Sequence, residues 1–224
     1  APGRDATATA RREEDAVEVV AGLNERGKTC GAPLVGLIRN TDTRSRDYSN
    51  LYRAPRPGHA DFTAWKKFGD ERDVRGGGQF SGRLTAPLCF AGALAKQLLN
   101  EKGACVAAHI ARLAGINDDA PDPVRPALPL YEEGAFPVLN AGAGERMREA
   151  ILAARREGDS VGGVVHVIAT GLPAGLGEPM FGGVENRLAA ALFGIPAVRG
   201  VEFGEGFHAA DLRGSGHNDA FAVE

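Results

Sequence analysis

The chain has 224 residues, of which 26 are basic and 29 acidic, so its formal net charge is −3. A hydrophobic fraction of 43% is typical of a globular domain and argues against a disordered chain. No run approaches the roughly 18 apolar residues of a membrane span, and the polar N-terminus lacks the apolar stretch of a secretory signal. Three scattered cysteines suit neither a disulfide framework nor a metal site, so we expect the protein to be located in a reducing cytoplasm.

The first eighty residues combine two predicted strands with a basic segment. Residues 16–23 and 33–38 are aliphatic and predict short strands, whereas 39–78 has no apolar period and is long enough to indicate a functional region. Residues 39–83, called the basic segment below, hold ten Lys or Arg against six Asp or Glu, and eight of the ten are arginine. Because a guanidinium binds carboxylate and phosphate oxygens two at a time, this segment predicts a site for an anionic ligand.

Helices and strands are mixed in the remainder of the chain. The clearest helix begins near Pro87, which is tolerated only in a first turn, and its apolar stripe consists of Leu84, Leu88, Ala91, Ala95 and Leu98. Residues 145–156 and 184–193 predict two more helices, and 161–169 and 197–203 predict strands. The order lacks the regular alternation of a doubly wound sheet.

His59 is the first candidate for chemistry. It lies in Arg56-Pro-Gly-His-Ala-Asp61, where proline and glycine favour a fixed turn that places the imidazole. Its ordinary titration range suits proton transfer near neutrality. The alternative is a surface histidine that only completes a turn.

A glycine segment, Arg75-Gly-Gly-Gly-Gln-Phe-Ser-Gly-Arg83, is the second candidate. Glycines just before a helix expose backbone N–H groups where the helix dipole favours anions. The alternative is a connector whose glycines serve only its turn.

His109 and His166 lie among apolar residues and are expected in the core or on edge strands. Because no two histidines have ligand spacing on one element, we expect no metal site.

Together these motifs resemble chorismate synthase along essentially the whole chain. The resemblance begins with Ile38-Arg-Asn-Thr-Asp-Thr-Arg-Ser-Arg-Asp-Tyr-Ser49 and continues through the His59 motif and the glycine segment. It extends to three later runs, Gly175-Leu-Gly-Glu-Pro179, Ile195-Pro-Ala-Val-Arg-Gly-Val-Glu-Phe-Gly-Glu-Gly-Phe207 and Arg213-Gly-Ser-Gly-His-Asn-Asp219.

The resemblance implies an α/β (α+β) layered sandwich with a single domain over residues 1–224. It implies a phosphate-eliminating lyase of the shikimate pathway that converts 5-enolpyruvylshikimate 3-phosphate to chorismate with reduced FMN. His59 then protonates the reduced flavin, FMN is contacted by Gln79, Phe80 and Ser81, and the substrate's anionic groups are bound by Arg39, Arg44 and Arg83. The family also implies a homotetramer, and with the composition above we expect a cytoplasmic protein with no nucleic-acid or membrane partner.

Two family features are not found in the chain. The opening Gly-Glu-Ser-His-Gly motif, which carries a second catalytic histidine, is absent, as is a later Arg-His-Asp-Pro motif. The resemblance therefore indicates an interior fragment, incomplete at both ends and inactive by itself. In such a fragment we expect the apolar faces of residues 16–23 and 161–169 to be uncovered.

Two other functions remain open on sequence grounds. A non-catalytic phosphate- or nucleotide-binding module would keep the glycine segment and the arginines but have no use for His59. An RNA-binding protein would use the arginines and interleaved aromatic residues of the basic segment, although the acidic total charge disfavours it.

Overall fold

A computed structural model describes residues 5–9, 13–41, 45–122 and 135–218 of the chain. Two compact units are found, Ala1–Leu172 and Pro173–Glu224, and each is described by itself. The described part contains both helices and antiparallel sheets, so the fold is α+β, as the sequence predicts. None of its helices has the length and apolar character needed to cross a membrane.

A two-stranded ribbon opens the first unit. β1 (Val17–Ala21) pairs antiparallel with β2 (Val35–Ile38), with Val17 opposite Ile38. The helix α2 (Thr85–Glu101) lies against β2, and a Cβ at Gly36 would come within 2.6 Å of the Phe90 ring. Glycine at position 36 thus allows the aromatic ring to approach the strand.

The first unit also contains a three-stranded antiparallel sheet in the order β4-β3-β5. Its strands are β3 (Cys105–Leu113), β4 (Ile116–Asn117) and β5 (Gly163–Thr170). The helix α3 (Ala141–Arg156) begins four residues before the predicted start, where the Asn140 side chain accepts a hydrogen bond from the Ala143 N–H and caps it. Met147 on α3 is fully buried.

Short helices replace much of the irregular stretch expected between residues 39 and 78. One is the α-helix α1 (Asp61–Phe68), and the others are the 3-10 helices Ser45–Tyr52, Gly69–Glu71 and Arg75–Phe80. Each is too short to show a sustained apolar period, which explains why the sequence did not reveal them.

The second unit contains the helix α4 (Val184–Phe193), which is predicted correctly, and 3-10 turns at Met180–Gly182 and Gly206–Asp211. The strand predicted at 197–203 is wrong, because these residues form no regular secondary structure. Ala197 has φ +70°, a left-handed conformation that interrupts an extended run.

Large apolar side chains are exposed on several elements of the first unit. All five residues of β1 are exposed, and on β5 Val164, Val165 and Val167 are 55%, 63% and 50% exposed. The expectation that these two strands have uncovered faces is confirmed. The apolar stripe of α2 is also open, with Leu98 61% exposed, so in this structure the stripe does not face a core.

Candidate functional site

The His59 turn holds an imidazole, a carboxylate and a guanidinium together. The Nδ1 atom of His59 lies 2.7 Å from Oδ1 of Asp61, the first residue of α1. The Arg56 guanidinium donates to both oxygens of that carboxylate, from Nε to Oδ2 at 2.8 Å and from Nη2 to Oδ1 at 3.1 Å. The Arg56 backbone N–H also donates to Oδ2. These hydrogen bonds fix the side chain that His59 contacts.

Hydrogen bonding from Arg56 keeps Asp61 ionised. The guanidinium is the largest influence and outweighs burial, so the pKa of Asp61 lies far below its usual range. The same pairing raises the pKa of Arg56. Since the carboxylate is only 9% exposed, water competes weakly for it, and its pair with Arg56 holds the turn.

The glycine segment passes directly beside His59. Gly77 is buried and has φ +85°, a conformation that side chains rarely adopt. A Cβ at Gly77 would lie 3.9 Å from Nε2 of His59 and 3.5 Å from Cβ of Ser81. Thus Ser81, predicted to contact FMN, and His59, predicted to transfer a proton, both border Gly77.

The three predicted FMN contacts differ in exposure. Gln79 is exposed, Phe80 is 37% exposed and Ser81 is half-buried. The Phe80 ring lies 6.4 Å from the Phe68 ring of α1, centroid to centroid. The Ser81 hydroxyl accepts a hydrogen bond from the Arg83 N–H and caps the turn Gly82–Leu84.

Arg83 is clamped by acidic side chains from the start of the chain. Its Nη2 lies 2.7 Å from Oε2 of Glu13, whose side chain is 1% exposed, and also donates to Oδ1 of Asp15. Its Nε donates to the side-chain oxygen of Asn40 at 2.9 Å. In this structure the charge predicted to bind substrate is therefore already balanced by two carboxylates.

The other predicted substrate arginines are placed differently. Arg39 follows β2 and pairs with Glu18 of β1 at 3.0 Å, and both side chains are exposed. Arg44 lies outside the described residues. Among the described residues, no group of three or more His, Cys, Asp or Glu side chains could hold a metal ion.

Comparison with known proteins assigns the family. The family model for chorismate synthase matches residues 1–224. The chain belongs to the chorismate synthase family. A crystal structure described as chorismate synthase superposes with a TM-score of 0.74 and 28% identity over 93% of this chain and 60% of that one.

Curated chorismate synthases from distant organisms give the same result. The protein from Paraburkholderia phymatum is 46% identical over 100% of this chain and 59% of its own length. The protein from Korarchaeum cryptofilum is 44% identical over 99% of this chain and 61% of its own length. The protein from Lancefieldella parvula is 42% identical over 96% of this chain and 60% of its own length. The chain thus spans about three fifths of these chorismate synthases.

A second polar cluster in the first unit was not predicted from sequence. His109 on β3 stands opposite His166 on β5, with Nε2 of the first 3.2 Å from Nδ1 of the second. His109 is 1% exposed, and its Nδ1 lies 2.9 Å from Oδ2 of the fully buried Asp118. The expected core and edge placement of the two histidines is confirmed, but only the strand register reveals that they touch.

Backbone hydrogen bonds hold the buried carboxylate of this cluster. Burial by itself raises the pKa of Asp118, but the N–H groups of Leu139 and Asn140 and the His109 ring outweigh it, so the pKa is lowered. The N–H donors bond at 2.6 Å and 2.8 Å. Asp118 therefore ties the sheet to the start of α3.

We expect the folded chain to lose stability as the pH falls from about 7 to about 3. Partial desolvation of the imidazole, with the nearby His109, lowers the pKa of His166, so below about pH 6.5 the unfolded chain binds that proton first. The lowered pKa of Asp61 stabilises the fold above about pH 3.9, and this contribution is lost as the pH falls further.

Chemical denaturation across a pH series tests this prediction by measuring the free energy of unfolding at each pH. The variant His166→Gln should flatten the upper part of the profile, whereas His208→Gln, which alters an exposed histidine paired with Glu205, should leave it unchanged. A free energy of unfolding that stays constant or rises towards acid pH would contradict the prediction.

Proposed function

We propose that these residues form part of a chorismate synthase, a lyase that eliminates phosphate from 5-enolpyruvylshikimate 3-phosphate to give chorismate in the shikimate pathway. Family membership supports the reaction class. The observation that carries the proposal is the convergence of His59, held by Asp61, with Ser81 around Gly77. A phosphate-binding module has no need for an imidazole fixed in this way.

The residues around Gly77 fit reduced FMN as cofactor. Phe80 offers a partly exposed aromatic ring, Gln79 an amide and Ser81 a hydroxyl, which suit an aromatic ligand with a polar rim. Reduced FMN, when bound, supplies electron density that helps to expel phosphate. His59 would supply the proton-transfer group, and Gly77 lies next to its imidazole.

The basic segment supplies the charges for the substrate. The substrate carries one phosphate and two carboxylates, and we assign their binding to Arg39, Arg44 and Arg83. For Arg83, substrate oxygens compete with Glu13 and Asp15, since both already pair with its guanidinium. Substrate binding at Arg83 would therefore replace its ion pairs with Glu13 and Asp15 by contacts with substrate oxygens.

Replacing Arg83 with alanine should weaken substrate binding roughly 10- to 100-fold, the loss of one charge-assisted contact. Affinity should also fall as salt is raised, because screening acts over about 8 Å at physiological ionic strength. Titration calorimetry in a salt series, with Arg26→Ala in an exposed turn as the matched control, measures both. Equal affinity of the Arg83 variant and the parent at every salt concentration would refute the assignment.

We also propose that the protein acts as a cytoplasmic homotetramer without nucleic-acid or membrane partners. The exposed valines of β1 and β5 support burial of these strands in a larger assembly, because apolar surface of this kind is seldom left open.

The proposed activity is tested in a completed protein, made by joining the 224 residues to the flanking segments of the Paraburkholderia phymatum relative. Phosphate release and chorismate absorbance are followed under anaerobic conditions with reduced FMN. Turnover that requires reduced FMN supports the proposal, and substrate binding without any turnover in a folded tetramer supports the binding-module alternative.

A further inference from the structure

Asp118, His109 and His166, called the histidine cluster below, form a chain of hydrogen bonds across the three-stranded sheet. His109 on β3 is 1% exposed, and each of its ring nitrogens has its own partner. Nδ1 lies 2.9 Å from Oδ2 of Asp118, the residue after β4, and Nε2 lies 3.2 Å from Nδ1 of His166 on β5. Because His166 is exposed, the chain of bonds leads from a buried carboxylate to solvent.

The buried carboxylate sets the direction of these bonds when both imidazoles are neutral. Asp118 has a lowered pKa and accepts hydrogen bonds from the N–H groups of Leu139 and Asn140. It is therefore ionised and can only accept hydrogen bonds, so Nδ1 of His109 donates to it. Nε2 of the neutral His109 ring is then an acceptor, and Nδ1 of His166 must donate to it. The electron pair of His166 lies on its other nitrogen, Nε2.

One excess proton leaves both hydrogen bonds of the cluster in place. It binds to Nε2 of His166, the nitrogen that carries the electron pair. The single hydrogen between the two rings then stays on Nδ1 of His166 or moves to Nε2 of His109, and the rings remain bonded in both cases. In the second case the positive charge lies on the ring beside the Asp118 carboxylate.

A second proton breaks the bond between the rings. Nε2 of His109 and Nδ1 of His166 would both carry a hydrogen, so two donors would face each other. Two positive charges would also lie in rings whose centroids are 5.3 Å apart. Partial desolvation, with the nearby His109, already lowers the pKa of His166. In the unfolded chain each imidazole binds its own proton, so the folded cluster with its bonds intact binds one proton fewer.

The elements around the cluster present little charge to it. The buried residues of α3 carry no titratable group. Half-buried titratable groups on the packed elements are Arg148 of α3, which pairs with Asp5, and Cys105, the first residue of β3. The other titratable groups of β3, α2 and α3, apart from His109 itself, are exposed, as is Asp119, and water screens them. Protons on the two imidazoles therefore act mainly on each other and on Asp118.

We propose that the histidine cluster is an acid-sensitive latch between β3 and β5, which holds one excess proton with its bonds intact and opens when it binds a second. β5 is the strand that is released, because His109 stays bonded to Asp118, which also holds the start of α3. The latch does not depend on the proposed function.

Hydrogen exchange read by mass spectrometry tests the latch in the 224-residue chain, diluted to limit association. A peptide that covers β5 is compared with one that covers β1 from pH 7 to pH 5, after correction for the intrinsic pH dependence of exchange. In the parent, the β5 peptide should lose protection relative to β1 by up to about tenfold per pH unit, the slope that one proton gives.

Two variants assign this slope to the cluster. His166→Gln should remove it, because glutamine binds no proton, and the exposed position of His166 should leave the variant folded. The matched control His208→Gln alters an exposed histidine of the second unit that also pairs with a carboxylate, and it should keep the slope of the parent.

The parent by itself can overturn the inference, if the protection of β5 follows that of β1 at every pH. A slope that persists in folded His166→Gln, or that disappears in His208→Gln, overturns it as well. Lyase activity enters none of these measurements, so the latch and the proposed function succeed or fail separately.

Discussion

Replacing His59 with alanine in the completed protein is expected to slow turnover by about 100-fold or more, the usual scale for a positioned acid or base. The imidazole is partly exposed, with 26% of its side-chain surface accessible, and its contacts are to Asp61, Arg56 and the border of Gly77. Its removal should therefore leave the fold and substrate binding largely intact. Steady-state kinetics give kcat and KM, and thermal melts give stability.

His208→Ala is the matched control for this substitution. His208 also pairs with a carboxylate, Glu205, at 2.9 Å, but it is exposed in the second unit and is assigned no part in the reaction. It should keep the parent's kcat. If His59→Ala instead lowers the melting temperature sharply while kcat per folded molecule is unchanged, the histidine serves only to complete its turn.

The 224-residue chain alone is expected to show no measurable conversion of 5-enolpyruvylshikimate 3-phosphate, even with reduced FMN and substrate in excess. It spans about three fifths of its curated relatives, and the family's second catalytic histidine motif is not found in it. A departing phosphate needs a proton donor within hydrogen-bond reach. His59 is assigned to the flavin side and does not replace that donor.

Exposed apolar surface strengthens this expectation. The valines of β5 and the face of β1 are open, and an uncovered strand of this kind pairs with other chains. We therefore expect non-native association and weak FMN binding, measured by light scattering and by flavin fluorescence. The completed protein should recover both solubility and turnover, whereas turnover by a purified and mass-verified 224-residue chain would disprove the expectation.

The extent to which the site could be predicted from sequence depends on the distance along the chain between its members. Arg56, His59 and Asp61 lie within six residues, so one turn brings them together and their motif could be singled out. Their contacts could not, because these depend on which ring nitrogen faces the carboxylate. That orientation is set by the tertiary arrangement of the turn and the start of α1.

The arginines show the opposite case. Composition alone indicates that residues 39–83 carry excess positive charge, but it does not identify the partner of any one arginine. Glu13 and Asp15 reach Arg83 across about seventy residues, through the β1–β2 ribbon and the placement of α2. The tertiary structure therefore decides which of these arginines are paired with a carboxylate.

The sequence by itself determined the family, the α+β class, the helices α2, α3 and α4, and the candidate residues His59 and Ser81, because local periodicity, turns and long motifs encode them. The tertiary structure alone decided that Gly77 lies next to both of those residues and that Arg83 pairs with carboxylates. It also decided that His109 contacts His166, through the register of β3 and β5. Such contacts depend on strand register and packing between distant segments, which no local pattern of side chains specifies.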